Sequence, residues 1–359
     1  MTVVFFILVL LVLLGAKITP LHSQPSYLGY QQTLGVKGLF IALIVLSHFS
    51  AYRDDASWSQ FDHIFVFIRT YLGQMTVAPF LFLSGYGVTL SIIKKGKAYL
   101  DTMAVKRIGL VMFQFLCMVA LNWAISLPLG NQASLQQVLY SFVGAAEMGD
   151  NRWYGYSNWY IVVIVLLYAL TWLSFLWAKG DIRKGCIALT VSAFLLTLYL
   201  GWTKLDYWHN TLPAYIGGGW FAVYQPSIDA WMEKVKSRFP LVLAILTASY
   251  LILHEFQRNS VWVYRINSIV FAFLVVAVCT RIQIRNPLLC YCGKHVFSLY
   301  TLQRLAAGLV YGIWNPNENY SAFIVASSVL LVAMSAAFDA VVPRIYRWLQ
   351  KKMMVQQTV

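Results

Sequence analysis

Long apolar runs recur from one end of this chain to the other, and short polar segments separate them. Most runs hold roughly twenty residues with few charges, about the length that a helix needs to cross a bilayer core. The pattern predicts an all-α polytopic membrane bundle of ten or eleven transmembrane helices. The eleven predicted spans cover residues 2–18, 36–53, 72–93, 107–128, 157–178, 185–202, 210–224, 239–254, 262–280, 295–313 and 320–343.

Three spans carry features that modify this prediction. The first, 2–18, is apolar like a signal peptide, but it has no basic segment ahead of it and no evident cleavage site, so we expect an uncleaved additional helix. Pro79 in the third span and Pro213 in the seventh predict kinks or breaks, which are tolerated where neighbours or water satisfy the backbone. No segment is large enough for a separate soluble domain, so residues 1–359 are predicted to form a single membrane domain.

Positive charges lie mainly on alternate connections between the spans. The chain is 60% hydrophobic and 11% charged, with a formal net charge of +14. Of its 27 Lys and Arg residues, 20 fall in 17–37, 94–107, 179–184, 225–238, 281–294 and 344–359. The positive-inside rule makes these connections cytoplasmic, with the N-terminus outside and the C-terminus in the cytoplasm. Topology accounts for the basic charge, so the expected partner is membrane lipid rather than nucleic acid, and the expected location is the cytoplasmic membrane.

The stretch from Leu34 to Tyr52 is an apolar span with a cation, Lys37, near its start and an imidazole, His48, near its end. At about 100° per residue, eleven steps return the two side chains to nearly the same helix face, roughly 16 Å apart along the axis. An ionisable side chain inside a span costs free energy unless it faces protein or water, and it therefore marks a functional site. The alternative is a structural role, in which each polar group only bonds a neighbouring helix.

Other polar residues suggest weaker sites on the predicted external side. They are His63 in the loop 53–71, Trp153 in the loop 129–157, and His209 with Asn210 in the turn after the sixth span. Aromatic and polar side chains of this kind can bind a sugar acceptor. The alternatives are a solvated mixed-charge loop for His63 and an interfacial aromatic belt for Trp153.

The remaining charged and sulfur-containing residues allow further interpretations. The basic loop from Lys94 to Arg107 suits either phosphates or anionic lipid headgroups. Arg304 and Asp339, the charged residues deepest in the last two spans, are expected to pair as a structural bridge. The five cysteines lie in spans or on the cytoplasmic side, and the spacing of Cys290 and Cys292 is not that of a zinc or redox site, so neither a disulfide nor a metal is expected.

KGLFIALIVLSHF, from Lys37 to Phe49, resembles the first core helix of the acyltransferase-3 family, integral-membrane O-acyltransferases of bacterial surface glycans. That helix carries a basic residue, ten intervening positions and a His. The chain departs from the family at Leu110, where a second Arg is frequent, and at Gln303, where His is usual. The resemblance spans about residues 30–345 and leaves 2–18 as an additional helix. Further stretches resemble the family in the same order: Phe80–Val88, Lys106–Arg107, Ser157–Tyr168, Trp208–Gly219 and Gly293–Leu305.

The resemblance implies transfer of an acetyl group from cytoplasmic acetyl-CoA to a sugar hydroxyl of a surface polysaccharide or its lipid-linked precursor. Acetyl-CoA is then a donor substrate, and no bound cofactor is expected. Lys37, Lys106 and Arg107 are placed to bind the CoA phosphates. His48, with Lys37 in register, is expected to carry the chemistry, either as a general base on the hydroxyl or as a covalent acyl relay.

A transporter or flippase for glycans or lipids is the alternative function. In that case His48, Arg304 and Asp339 would line a pathway through the membrane. The sequence has no evident inverted repeat of the kind that many transporters contain. A membrane sensor or scaffold is a third alternative, but it gives no reason for the spacing of Lys37 and His48. Release of free CoA from acetyl-CoA upon addition of sugar distinguishes the enzyme from both.

Overall fold

Helices make up almost all of this structure, a computed structural model that describes residues 1–19, 27–54, 58–144 and 159–356. A π-helical stretch, Ala104–Gly109, joins the fifth and sixth helices. In chain order the elements are α1 (Thr2–Gly15), β1 (Ala16–Ile18), α2 (Tyr30–Ser50), α3 (His63–Leu72), α4 (Ala78–Lys95), α5 (Lys97–Met103), α6 (Leu110–Ser126), α7 (Leu135–Phe142), α8 (Trp159–Trp177), α9 (Ile182–Thr203), α10 (Pro213–Lys234), α11 (Phe239–Phe256), α12 (Val261–Cys279), β2 (Ile282–Ile284), α13 (Pro287–Lys294), α14 (Val296–Tyr311) and α15 (Tyr320–Gln356).

Eight helical segments of the described chain are long and apolar enough to cross a membrane, which confirms the predicted all-α membrane bundle. The other three predicted spans are helical as well. Among these, α1 has 14 residues and α14 has 16, fewer than the roughly 20 of a full crossing. The third, α10, has polar residues in its second half. The eight segments are Tyr30–Ser50, Gln60–Lys95, Lys97–Ser126, Trp159–Trp177, Ile182–Thr203, Lys236–Phe256, Val261–Cys279 and Tyr320–Lys352.

The two prolines for which a kink or break was predicted stand at the beginning of helices. Pro79 lies in the first turn of α4, and Pro213 is the first residue of α10. Proline is tolerated there because its missing N–H would have no intrahelical partner in the first turn. A 3₁₀ helix at Gly73–Val77 precedes α4, so the predicted third span is divided just before Pro79.

Helix α2 lies in the interior of the bundle and packs closely against α13. A Cβ atom on Gly38 would stand 1.8 Å from the carbonyl oxygen of Leu289, and one on Gly293 would stand 1.9 Å from that of Leu34. Such distances are impossible for a real side chain, so both positions require glycine for the backbones to approach. This contact sets the position of α2, and with it the positions of Lys37 and His48.

Contacts between connections join segments from the same predicted side of the membrane. Strands β1 and β2 pair antiparallel with Lys17 opposite Gln283, which links two predicted cytoplasmic connections. At the opposite end of α1, the Thr2 amide donates to Asp62 Oδ1 at 3.1 Å. Asn317 donates to Asp54 there at 2.6 Å and joins two predicted external segments. The end with β1 and β2 is called the inner end, and the end with Asp62 the outer end.

The predicted pairing of Arg304 with Asp339 is wrong. The carboxylate of Asp339 instead contacts His295 Nδ1 at 2.6 Å and accepts a hydrogen bond from Ser298 Oγ at 2.7 Å. Arg304 follows Ser298 by six residues on α14, which places it roughly 9 Å farther along the axis. Its guanidinium lies 5.4 Å from the centre of the Tyr52 ring.

Candidate active site

A cavity of about 430 Å³, called the outer cavity, contains the His48 side chain. The last turns of α2, the end of α3 and the 3₁₀ helix that follows it form part of its wall. The turn before α10, the start of α8 and the second turn of α14 form the rest. Polar and aromatic side chains line most of it, as in sites that bind carbohydrate. The lining residues are Ile44, Ser47, His48, Arg69, Gly73, Gln74, Thr76, Val77, Trp159, Tyr207 and Tyr300.

The imidazole of His48 is half-buried and lines this cavity. Its Nδ1 atom has no hydrogen-bond partner among the described residues. Gln303 lies beside the ring, and Arg304 is the neighbouring cation, while the Gln303 amide donates to the carbonyl oxygen of Tyr300 at 2.9 Å. No protein partner on Nδ1 therefore fixes which of the two ring nitrogens carries the proton.

A second cavity of about 290 Å³, called the inner cavity, contains Lys37 and Arg107. Arg107 donates from Nη2 to the Tyr168 hydroxyl at 3.0 Å, and its guanidinium lies 4.6 Å from the centre of that ring. Lys37 Nζ lies 5.1 Å from the centre of the Tyr30 ring. Two cations in one cavity favour an anionic ligand. The cavity is lined by Lys37, Phe80, Leu83, Ser84, Arg107, Val111, Tyr160, Ile161, Ile164, Tyr168, Gly293, Val296, Phe297 and Tyr300.

An aromatic boundary, formed by Tyr160 and Tyr300, stands between the two cavities. Tyr300 lines both of them, and its ring lies 5.4 Å from that of Tyr160. The preceding residue on α8, Trp159, lines the outer cavity, whereas Tyr160 lines the inner one. The two cavities are therefore neighbours with a shared wall, and α2 passes along both.

Of the residues expected to bind donor or carry chemistry, Lys37, His48 and Arg107 line the cavities, and Lys106 does not. Lys106 is exposed, because successive residues of a helix point in different directions and the neighbouring Arg107 points into the inner cavity. Among the expected acceptor residues, His63 is exposed at the start of α3 and lines neither cavity. Trp153 lies outside the described residues.

His209 and Asn210 are buried in the turn before α10 and line neither cavity. Arg265 Nη2 lies 3.0 Å from His209 Nδ1, and since arginine can only donate, Nδ1 accepts and carries no proton. Burial and the adjacent Arg265 hold the pKa of His209 below its ordinary value. This pair anchors the turn that carries Tyr207 into the outer cavity.

Several lining residues were not identified from the sequence. Arg69 and Gln74 come from α3 and the 3₁₀ helix that follows it, and Tyr207 comes from the turn before α10. In the sequence Arg69 counts only as one of the few external cations. Tyr300 lies in Gly293–Leu305, a stretch that resembles the family, but nothing in its spacing indicates that it stands between two cavities.

Comparison with known protein families identifies the family of this chain. The family model described as "Acyltransferase domain", that of the acyltransferase-3 family, matches residues 35–340. No curated protein and no solved structure matches the chain. The matched residues include Lys37, His48 and Arg107, as well as Arg69 and Tyr300, whereas α1 lies outside them. No cluster of His, Cys, Asp and Glu suited to a metal ion occurs among the described residues.

Proposed function

We propose that this chain, which belongs to the acyltransferase-3 family, transfers an acetyl group from cytoplasmic acetyl-CoA to a sugar hydroxyl outside the membrane. A multi-pass membrane acyltransferase is the activity class of the family. Family membership specifies neither the donor nor the acceptor. We propose acetyl-CoA as the donor and a surface polysaccharide or its lipid-linked precursor as the acceptor.

One observation carries the proposal: α2 presents Lys37 to the inner cavity and His48 to the outer cavity, and the two cavities share Tyr300. A donor on one side of a membrane and an acceptor on the other need two adjoining sites of this kind. A single binding pocket would give no reason for the cations and the imidazole to be separated by three helical turns.

In the inner cavity the cations would bind the donor. The phosphates of CoA are anions, and charge-assisted hydrogen bonds from Lys37 and Arg107 are the strong kind of contact for them. The bond from Arg107 to Tyr168 holds the guanidinium in one orientation, which reduces the conformational entropy lost when a ligand binds. Lys106, exposed on the neighbouring helix face, would attract CoA to the opening without contacting it inside the cavity.

In the outer cavity His48 would act on the acceptor. As a general base it removes the proton of a sugar hydroxyl while that oxygen attacks the thioester carbonyl, and the carbon–sulfur bond breaks. The imidazolium then returns the proton to the CoA thiolate, which completes the balance. As a covalent relay the imidazole would attack the thioester carbonyl and take the acetyl group, with the CoA thiolate as leaving group. The sugar hydroxyl would then attack the acetyl-imidazolium, which restores the neutral imidazole, and the hydroxyl proton would pass to the thiolate.

The experiment offers surface polysaccharide, purified from cells that lack the gene, to the purified protein in lipid nanodiscs with radiolabelled acetyl-CoA. We expect label in the polysaccharide, removable by mild base as an ester would be, with an equal amount of free CoA. The His48→Ala protein should yield neither labelled polysaccharide nor free CoA. The control Arg258→Gln, which changes an exposed residue between α11 and α12, should yield both. If the wild-type protein leaves the polysaccharide unlabelled, acetyl transfer is rejected and the transport function is favoured.

A further inference from the structure

The outer cavity carries positive charge that no carboxylate of the described residues balances. Among the described residues that line it, His48 and Arg69 are the ionisable ones other than tyrosines, and none is Asp or Glu. Arg69 donates from Nη1 to Ser50 Oγ, a neutral partner, and it forms no ion pair with a carboxylate among the described residues. Arg304, the cation beside His48, likewise has no ion pair within the described part of the chain. Two guanidinium groups therefore stand near the imidazole, and neither has an ion-pair partner in the part of the chain that the structure describes.

Other cations at the outer end of the bundle have an acidic partner or an aromatic ring beside them. Arg53 Nη1 lies 3.4 Å from Asp62 Oδ2 in an ion pair. Arg265, buried in α12, faces the neutral imidazole of His209 and stacks 4.3 Å from the centre of the Trp262 ring. Arg69 has neither an acidic partner nor a ring contact within the described residues, yet it is half-buried at the wall of a cavity.

A partly buried charge inside a membrane protein costs free energy unless another charge or water compensates it. A planar guanidinium is also the side chain best matched to a carboxylate or phosphate, because it donates two parallel hydrogen bonds. One nitrogen of Arg69 is held by Ser50, which orients the group where it lines the cavity. An anion in the outer cavity would meet an already oriented partner.

The rest of the cavity wall suits a sugar ring. Trp159 and Tyr207 supply aromatic surface with ring centres 5.9 Å apart, and Gln74 donates from Nε2 to the Tyr207 carbonyl oxygen. That bond fixes the amide and leaves its carbonyl oxygen to accept from a ligand hydroxyl. Aromatic surface, a fixed amide and one guanidinium are together the groups that recognise an acidic carbohydrate.

We propose that the acceptor is anionic: a sugar with a carboxylate or phosphate group, which Arg69 binds while His48 acts on a hydroxyl of the same molecule. This inference rests on the proposed function and specifies its acceptor class. An acidic sugar of a polysaccharide and the phosphate of a lipid-linked precursor offer the same charge to Arg69, so the experiment must separate them.

The first experiment measures release of CoA from acetyl-CoA with matched acceptors. Glucose, glucuronic acid and glucose 1-phosphate share a ring and differ in one charged group. We expect the wild-type protein to show a KM at least about 10-fold lower for one of the charged sugars than for glucose, the range of a charge-assisted hydrogen bond. Which charged sugar is preferred identifies the source as carboxylate or phosphate.

Arg69→Gln should raise the KM for the preferred charged sugar about 10-fold and leave the KM for acetyl-CoA and for glucose unchanged. Arg69→Lys keeps the charge but loses the paired donors, so its KM for the charged sugar should lie between that of the wild type and that of Arg69→Gln. Arg258→Gln, which removes an external cation that lines neither cavity, is the matched control. Equal use of charged and neutral sugars by the wild type, or an unchanged KM in Arg69→Gln, overturns the inference.

A binding experiment keeps the test independent of turnover and of folding defects. Thermal unfolding of the detergent-purified protein is followed with glucuronic acid, glucose 1-phosphate or glucose at equal concentration and ionic strength. A charged sugar should raise the Tm of wild type and of Arg258→Gln but not that of Arg69→Gln, whose Tm without sugar reports its folding. Absence of a shift in the wild type, or an equal shift in Arg69→Gln, rejects the anion site. An anion-dependent shift without any use of acetyl-CoA would instead reject the proposed function alone.

Discussion

The inner and outer cavities use the same helix, α2, but differ in how their polar groups are held. In the inner cavity Arg107 is bonded to the Tyr168 hydroxyl and stacked on its ring. In the outer cavity Nδ1 of His48 has no partner among the described residues. A group that binds a ligand gains from being fixed beforehand, whereas a group that moves protons must exchange partners during the reaction. In the proposed function the fixed Arg107 belongs to donor binding and the unpartnered His48 to the chemical step.

His48→Ala is the strongest test of this difference. We expect kcat to fall by about 10²–10⁴-fold, the usual contribution of a general acid–base residue, with the KM for acetyl-CoA little changed and a normal amount of protein in the membrane. Steady-state CoA release and immunoblotting of membranes provide the measurements. A tenfold or larger rise in the KM for acetyl-CoA with kcat intact would assign His48 to donor binding and not to the chemical step.

Arg107→Gln should produce the opposite pattern. Loss of a charge-assisted contact to phosphate is expected to raise the KM for acetyl-CoA about 10-fold or more, with a smaller change in kcat. Lys106→Gln removes the same charge one residue earlier, from an exposed position, and should raise that KM much less. Similar effects of the two substitutions would mean that the basic segment acts through its general field and not through the inner cavity.

Tyr300→Ala tests the boundary between the cavities. Removing the ring opens a passage beside Tyr160, the other residue of the aromatic boundary, so longer acyl groups should pass between the cavities more readily. We expect the ratio of butyryl-CoA to acetyl-CoA use to rise several-fold, whereas Tyr300→Phe, which keeps the ring, should leave the ratio close to that of the wild type. An unchanged ratio in Tyr300→Ala would remove this residue from any role in acyl-chain selection.

The smallest expected effect concerns the turn that carries Tyr207 to the outer cavity. The pKa of His209 is lower in the folded protein than its ordinary value, so below a pH of about 6.5 the unfolded chain binds a proton that the folded protein does not. Stability is therefore lost as the pH falls through this range. Melting at pH 7.5 and pH 5.5 should show a smaller decrease in Tm for His209→Gln than for the wild type. An identical decrease would assign the acid sensitivity to other groups.

Local pattern alone accounts for much of this molecule. The lengths of the apolar runs predict the all-α membrane bundle because each run forms its helix with hydrogen bonds to residues four positions away. The register of Lys37 and His48 follows from the same local geometry, and so does their separation by three turns. The alternation of basic connections predicts which segments share an end, and the contacts of Lys17 with Gln283 and of Asp54 with Asn317 follow that division.

Tertiary packing decided what lies opposite each of these residues. Asp339 pairs with His295 rather than with Arg304 because the contact of α14 with α15 fixes which turn of α14 faces it. Arg69 and Tyr207 reach the outer cavity from segments far apart in the chain, and Tyr300 stands at both cavities because α2 and α8 approach the same turn of α14. Helical periodicity tells which side chains share a face. It cannot tell which other helix that face meets, because the meeting depends on close approaches between distant residues, such as that of Gly38 to Leu289.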